Sequence, residues 1–199
     1  QTSYALAFLH DLIPVEQQAA AQAYFLNAIA RTDGRIGTGF IGTPALLPAL
    51  VKLGELAVAA EMFLQEEVPG WLYQVKMGAT TIWERWDAIS PDGTIYNPQM
   101  NSYNHYAYGA VCQWLFEDVA GLKLTPEGAG FTNLKLDPAI LPALSPVKAW
   151  HDVRQGRIEA EWSLVGDQVT YRVVLPQGLS ASLKASSIRS NLILKPGFG

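Results

Sequence analysis

The stretch Thr43-Pro44-Ala45-Leu46-Leu47-Pro48-Ala49-Leu50-Val51-Lys52-Leu53-Gly54, running on through Leu56-Ala57-Val58-Ala59-Ala60-Glu61-Met62-Phe63-Leu64, decides the fold of the first half of the chain. Leu46, Leu47, Leu50 and Val51 recur at the spacing that puts side chains on one face of a helix. Thr43 reads as an N-cap with a proline in the first turn, and Gly54 as the stop. Leu56, Ala59, Ala60, Phe63 and Leu64 repeat the stripe at once. Two such helices joined by so short a connection must lie antiparallel, as an αα-hairpin. Working outward, Ala5, Phe8, Leu9 and Leu12 predict a helix before them. Pro14 suits the first turn of another that continues through Leu26 and Ile29 towards Gly34. Downstream, a short helical piece is expected at Trp71–Lys76. A longer helix is expected from about Asn104, with Ala107, Ala110, Val111, Trp114 and Leu115 on one face.

Between the last two lies Gly78 to Tyr103, rich in Gly, Pro, Asn and Asp and too long for an idle connector, which marks it as a candidate functional region. From Gly121 the period changes from helical to two. Ile158, Ala160, Trp162 and Leu164 alternate with Arg157, Glu159, Glu161 and Ser163. After a Gly166-Asp167 turn signal, Val169, Tyr171, Val173 and Leu175 alternate with Gln168, Thr170 and Arg172. Val147, Ala149, His151 and Val153 form a third face, closed by Gln155-Gly156. Helices followed by strands, without βαβ alternation, give an α+β multidomain chain whose second part is a small antiparallel β-sandwich. The expected domains are 1–120 and 121–199. The helical stripe begins almost at Gln1, so the sequence reads as part of a longer chain, with an apolar flank that further helices should cover.

Composition narrows the function. The chain has 199 residues, a net charge of −4 and only 14 Lys plus Arg, which argues against nucleic acid, since phosphate neutralisation needs clustered cations. No apolar run approaches the ~20 residues that span a bilayer, and no signal-peptide pattern is seen; the compartment stays open. The one cysteine, Cys112, cannot form an intrachain disulfide. His10, His105 and His151 fall in separate elements, and no spacing matches a zinc site, so neither a metal nor a cofactor is expected. Six Trp, eight Tyr and seven Phe include a cluster from Trp71 through Trp83 and Trp86 to Tyr108. Flat aromatic faces suit sugar rings, and they equally suit a packed core.

Three stretches carry a specific resemblance: Thr38-Gly39-Phe40-Ile41-Gly42-Thr43, Gly78-Ala79-Thr80-Thr81-Ile82-Trp83-Glu84-Arg85-Trp86-Asp87, and Met100-Asn101-Ser102-Tyr103-Asn104-His105-Tyr106-Ala107-Tyr108-Gly109. Together with the sheet-rich tail, they resemble the glycoside hydrolase family 78 of bacterial α-L-rhamnosidases. The resemblance implies the later part of an (α/α)₆ barrel followed by a C-terminal β-sandwich. It also implies hydrolysis of terminal α-L-rhamnose from glycosides with inversion at the anomeric carbon. Glu84 matches the family's general base and His105 a contact to the bound sugar. The family's general acid lies in an upstream motif that this sequence does not contain, so the piece alone is expected to be inactive and to need the rest of the parent barrel as its partner. Self-association through the uncovered flank is a further expectation.

Each of these residues also has a plainer explanation. Inverting hydrolysis needs one carboxyl to protonate the leaving oxygen and another to deprotonate the attacking water. Glu84 suits the second task, and it would also suit a surface ion pair with Arg85. Trp83 and Trp86 could present faces to sugar or fill a core. His105 could hydrogen-bond substrate or the start of its helix. Phe40, set between glycines, could line the site or simply accompany a backbone turn. Asp87 could cap or pair with Arg85, Asp92-Gly93 reads as a turn, and Glu66-Glu67 as solvated. Two rival functions remain: a non-catalytic carbohydrate-binding or scaffold piece using Trp150 or Trp162, and a related helical-barrel glycosidase acting on another sugar.

Overall fold

Gly54 and Gly78 show how the helical half is punctuated. In the computed structural model, which describes residues 1–97, 99 and 101–184, α3 spans Thr43–Lys52 and α4 Leu56–Phe63. Gly54 takes φ +79° between them, so that the Glu55 and Gly54 N–H groups donate back to the carbonyls of Leu50 and Val51. This is the left-handed helix stop that glycine alone adopts without strain. Gly78, at φ +85°, closes α5 (Trp71–Lys76) in the same way and turns the chain into the Thr80–Asp87 stretch.

The structure forms two units by internal packing, Gln1–Cys112 and Gln113–Gly199. In the first, α1 (Thr2–Leu9) packs on α2 (Gln18–Ala30) and on α3, and α3 packs on α4 and on the 3₁₀ turn Ala107–Ala110. α3 is the core of the unit, with Thr43, Ala45, Leu46, Leu47, Ala49 and Leu50 all buried. Burial of such an apolar face, rather than intrinsic propensity, holds short helices in place.

Three expectations are corrected in detail. Leu12 is 70% exposed, because α1 ends at Leu9 and Asp11 turns to φ +55°. Thr43 does not cap α3: Gly42 occupies the N-cap, and the Thr43 hydroxyl donates to the Gly39 carbonyl at 2.8 Å. The last helix starts at Ala107 rather than Asn104. The His105 N–H is committed to the Ile82 carbonyl and the Ala107 N–H to His105 Nδ1, which keeps residues 104–106 out of the helix. That helix runs as a 3₁₀ turn, then α6 (Val111–Trp114), then a π turn at Leu115–Val119.

The second unit holds two three-stranded sheets. β3 (Val147–Val153), β4 (Gly156–Val165) and β5 (Gln168–Val174) form an antiparallel meander, with Val165 opposite Gln168 across the Gly166-Asp167 turn. Ile158, Ala160, Trp162, Val169, Tyr171 and Val173 fill its inner face, as alternation predicts. β1 (Leu122–Leu124) pairs antiparallel with β2 (Asn133–Leu136), but β6 (Ser180–Leu183) joins β2 in parallel, where an antiparallel sheet was expected. β6 is exposed or half-buried along its length, so it carries no alternation from which its pairing could be read. Met100 of the third motif and residues 185–199 of the expected sandwich lie outside the described residues.

Asp118 yields a test of this unit. It is buried, 2.7 Å from Lys123 Nζ, and burial outweighs the lysine, pushing its carboxyl up. A raised acid binds its proton more tightly in the folded state than in the unfolded chain. Its stabilising contribution is therefore complete below the unfolded value and lost as pH rises through the folded one. Asp118→Asn should gain stability relative to wild type as pH rises above the ordinary carboxylate range of about 4, read from thermal melts at a series of pH values. A constant difference would remove burial as the dominant influence on Asp118.

Candidate functional site

Glu84 is fixed by reciprocal hydrogen bonds with the Ser102 main chain, one through its own N–H and one through its carboxylate. Its N–H donates to the Ser102 carbonyl at 2.8 Å, and its Oε2 accepts the Ser102 N–H at 2.8 Å. The His105 N–H to Ile82 carbonyl bond, also 2.8 Å, continues the pairing, so the two motifs most distant from ordinary helix or strand patterning are laced together. Oε1 of Glu84 accepts no hydrogen bond among the described residues, and the half-buried side chain lines a concavity of about 300 Å³. One oxygen is held by the backbone and the other is available to a ligand or water.

The remaining walls are Phe40, Arg85, Trp86, Asp87 and Tyr108. Phe40 is 43% exposed and stacks on the His105 ring, centroids 4.7 Å apart and 16° from parallel, which brings His105 to the edge of the same site. The turn Gly39–Thr43 that delivers Phe40 also starts α3, and a Cβ on Gly42 would run into the Thr2 side chain. His105 Nδ1 accepts from the Ala107 N–H, which puts the ring hydrogen on Nε2.

Trp86 and Tyr108 stack at 3.9 Å, Trp71 meets Trp86 edge-on at 5.2 Å, and the Trp71 indole donates to the Tyr108 carbonyl at 2.9 Å. This aromatic block forms a rigid wall. The buried Trp86 Nε1 has no hydrogen-bond partner among the described residues, an uncommon state for a buried donor. Burial, the largest influence, pushes the Tyr108 phenol up, keeping it a neutral hydroxyl. Trp83, by contrast, is 3% exposed, packs edge-on against Tyr103 and lies outside this lining: next to Glu84 in sequence, it belongs to the core.

Arg85 does not pair with Glu84. Its guanidinium binds Asp87, with Nε 3.1 Å from Oδ1, and lies 4.1 Å from the Tyr96 ring centroid. Asp87 therefore matches its structural reading, as does Asp92, whose carboxylate closes the turn by accepting the Thr94 N–H at 3.0 Å. Sequence reasoning did not single out Tyr108 as a site residue. It stood inside a quoted motif, but nothing local distinguished its ring from those of Tyr103 and Tyr106.

Elsewhere in the helical unit, a larger hollow of about 600 Å³ is lined by charges already paired with each other, Arg35 with Glu67 and Lys76 with Glu66. Glu66 and Glu67 are thus ion-paired rather than merely solvated. In the sheet unit, Trp162 is fully buried and cannot stack on a ligand, whereas Trp150 is 53% exposed. Among the described residues no cluster of His, Cys, Asp and Glu suits a metal ion, and no helix is long and apolar enough to cross a membrane.

Comparison with known proteins gives two family matches. Residues 1–119 match the bacterial α-L-rhamnosidase six-hairpin glycosidase domain, and residues 121–194 the bacterial α-L-rhamnosidase C-terminal domain. An α-L-rhamnosidase of Formosa agariphila is 34% identical over 92% of this chain. Two solved structures are similar over 92% of the chain. They are the Streptomyces avermitilis α-L-rhamnosidase complexed with L-rhamnose (33% identity, TM-score 0.83, 18% of that chain) and the α-L-rhamnosidase of Aspergillus terreus (36% identity, TM-score 0.84, 21% of that chain). The chain spans about a fifth of the length of the curated relatives it matches, 20% for the Formosa protein.

Proposed function

The chain belongs to the bacterial α-L-rhamnosidase family, and from that premise we propose that it supplies the general base and part of the sugar-binding wall of an inverting α-L-rhamnosidase. The observation that carries the reading is the Glu84 carboxylate, one oxygen held by the Ser102 N–H and the other unbonded, in a concavity walled by Phe40, Trp86 and Tyr108.

In this reading Glu84 Oε1 accepts a proton from a bound water as the water oxygen bonds to the anomeric carbon. The bond from that carbon to the leaving oxygen breaks on the opposite face, and the leaving oxygen takes its proton from an acid contributed by another part of the complete polypeptide. Holding Oε2 leaves Oε1 in one orientation, which limits the reorganisation needed for proton transfer. Phe40 and Trp86 offer apolar surface to the C–H face and methyl group of rhamnose. The His105 Nε2–H is a donor for its hydroxyls. No cofactor takes part. We assign Trp83 a supporting role behind this wall rather than contact with the sugar.

The partners in this reading are a rhamnose-bearing glycoside and the remaining helices of the barrel. The exposed Val15 and Tyr24, on the α2 side of the helical unit, mark apolar surface that such helices, or a second copy of the piece on its own, would cover.

A crystal of the complete polypeptide soaked with L-rhamnose tests the assignment. The ring is expected against Phe40 and Trp86, with a hydroxyl or water within reach of Glu84. A sugar found only on the sheet unit beside Trp150 would replace this reading with that of a carbohydrate-binding module, and an empty Glu84 concavity beside a rhamnose bound elsewhere would overturn it.

A further inference from the structure

Glu84 sits in a segment held from both edges, and only one of those edges is another stretch of backbone. On one side is Ser102. On the other is the side-chain amide of Gln74, from α5: its Oε1 accepts the Trp83 N–H at 3.3 Å, and its Nε2 donates to the Arg85 carbonyl at 3.4 Å. The Trp83 N–H and the Arg85 carbonyl thus face α5, whereas the Glu84 N–H between them faces Ser102. One primary amide, with an acceptor and a donor placed like those of a peptide group, therefore acts as the neighbouring strand that this loop lacks.

Gln74 is 2% exposed. A glutamine that deep is retained only with its hydrogen bonds satisfied, and both of its described side-chain bonds go to the main chain of the residues flanking Glu84. The helix that carries it is anchored close by, through Trp71 to the Tyr108 carbonyl and through Tyr73 to the Ile89 carbonyl.

We propose that Gln74 is a positioning residue that fixes the direction in which Glu84 faces the concavity. The inference rests on the reading of Glu84 as the base. Gln74 touches neither sugar nor water; it acts through the main chain on either side of the carboxylate.

The test compares Gln74→Met and Gln74→Glu with wild type in the complete polypeptide, each rate normalised to its folded fraction from circular dichroism. Methionine keeps the volume and removes both bonds. It is expected to lower kcat about 10- to 100-fold while KM moves less than about threefold, the pattern of a misaligned catalytic group rather than a lost sugar contact. A buried glutamic acid, when protonated, restores one donor and one acceptor, and burial extends the pH range over which it keeps its proton. The kcat ratio of Gln74→Glu to wild type should therefore climb as pH falls.

A folded Gln74→Met with kcat within about threefold of wild type overturns the proposal, because misplacing a catalytic group costs far more than that in rate. A Gln74→Glu ratio that stays flat with pH, or that follows folded fraction alone, also overturns it, and this second arm decides the matter if the methionine variant does not fold. Glu84→Gln run alongside separates the two ideas. If that variant stays active, the base assignment has failed; if it is inactive while Gln74→Met turns over normally, only the role of Gln74 has.

Discussion

Replacing Glu84 by Gln in the complete polypeptide is expected to lower kcat for a nitrophenyl α-L-rhamnoside by ~10²–10⁴-fold, the usual loss when a positioned general base is removed. That corresponds to about 3–5 kcal/mol of transition-state stabilisation. Glutamine has the same shape and can still accept the Ser102 N–H through its amide oxygen, so the pairing of the two loop segments survives. The lost function is proton acceptance at the second oxygen. KM should change little, because the walls formed by Phe40, Trp86 and Tyr108 are intact. In Glu84→Ala, azide, a nucleophile that arrives without a proton to lose, should restore turnover and give a rhamnosyl azide of inverted configuration. A Glu84→Gln enzyme slowed less than about tenfold would show that the base lies elsewhere.

Trp162→Ala is expected to destabilise the sheet unit by about 3–5 kcal/mol in chemical denaturation, the range seen when a large buried aromatic leaves a cavity. Trp162 has no exposed surface and stands across from Val147 on one strand and Tyr171 on the other. Its indole N–H donates to the Val119 carbonyl at 2.6 Å, tying the centre of β4 to the end of the π turn. The Tyr171 hydroxyl makes the companion tie to the Ala120 carbonyl at 2.9 Å. Trp162→Phe keeps most of the volume and loses only the N–H, so it should fall between wild type and alanine; the loss of one buried hydrogen bond costs about 1–3 kcal/mol. Equal losses for Phe and Ala would assign the effect to the hydrogen bond rather than to packing. A loss below about 1 kcal/mol for alanine would mean that the site collapses around the void.

The helices and strands were legible because their signals are local. The stripe Leu46, Leu47, Leu50 faces one way on any helix, and Ile158, Ala160, Trp162 face one way on any strand, whatever surrounds them. The same alternation put Trp162 in the core. The start of the last helix was misjudged by three residues because the hydrogen bonds that hold back Asn104 to Tyr106 come from Ile82 and from the His105 ring, outside the reach of any periodicity. The parallel seat of β6 on β2 was hidden for a similar reason: a strand with no buried face leaves no pattern to read.

For the site, the residues that mark the family were all in view, and Glu84 stood out once the motifs were recognised. Periodicity along the chain determined that this is a helical part followed by a sheet part, and the resemblance of its motifs to a known family singled out which carboxylate to examine. They did so because side-chain periodicity and motif order are properties of neighbours in sequence. Only the tertiary structure decided that Trp86 and Tyr108 wall the Glu84 concavity while Trp83 lies in the core, that Arg85 serves Asp87, and that Gln74 reaches across from α5 to the Trp83 N–H and the Arg85 carbonyl on either side of Glu84. Those choices depend on which groups meet after residues tens of positions apart are packed together, and hydrogen bonds and ring contacts act over a few ångströms of space irrespective of their separation along the chain.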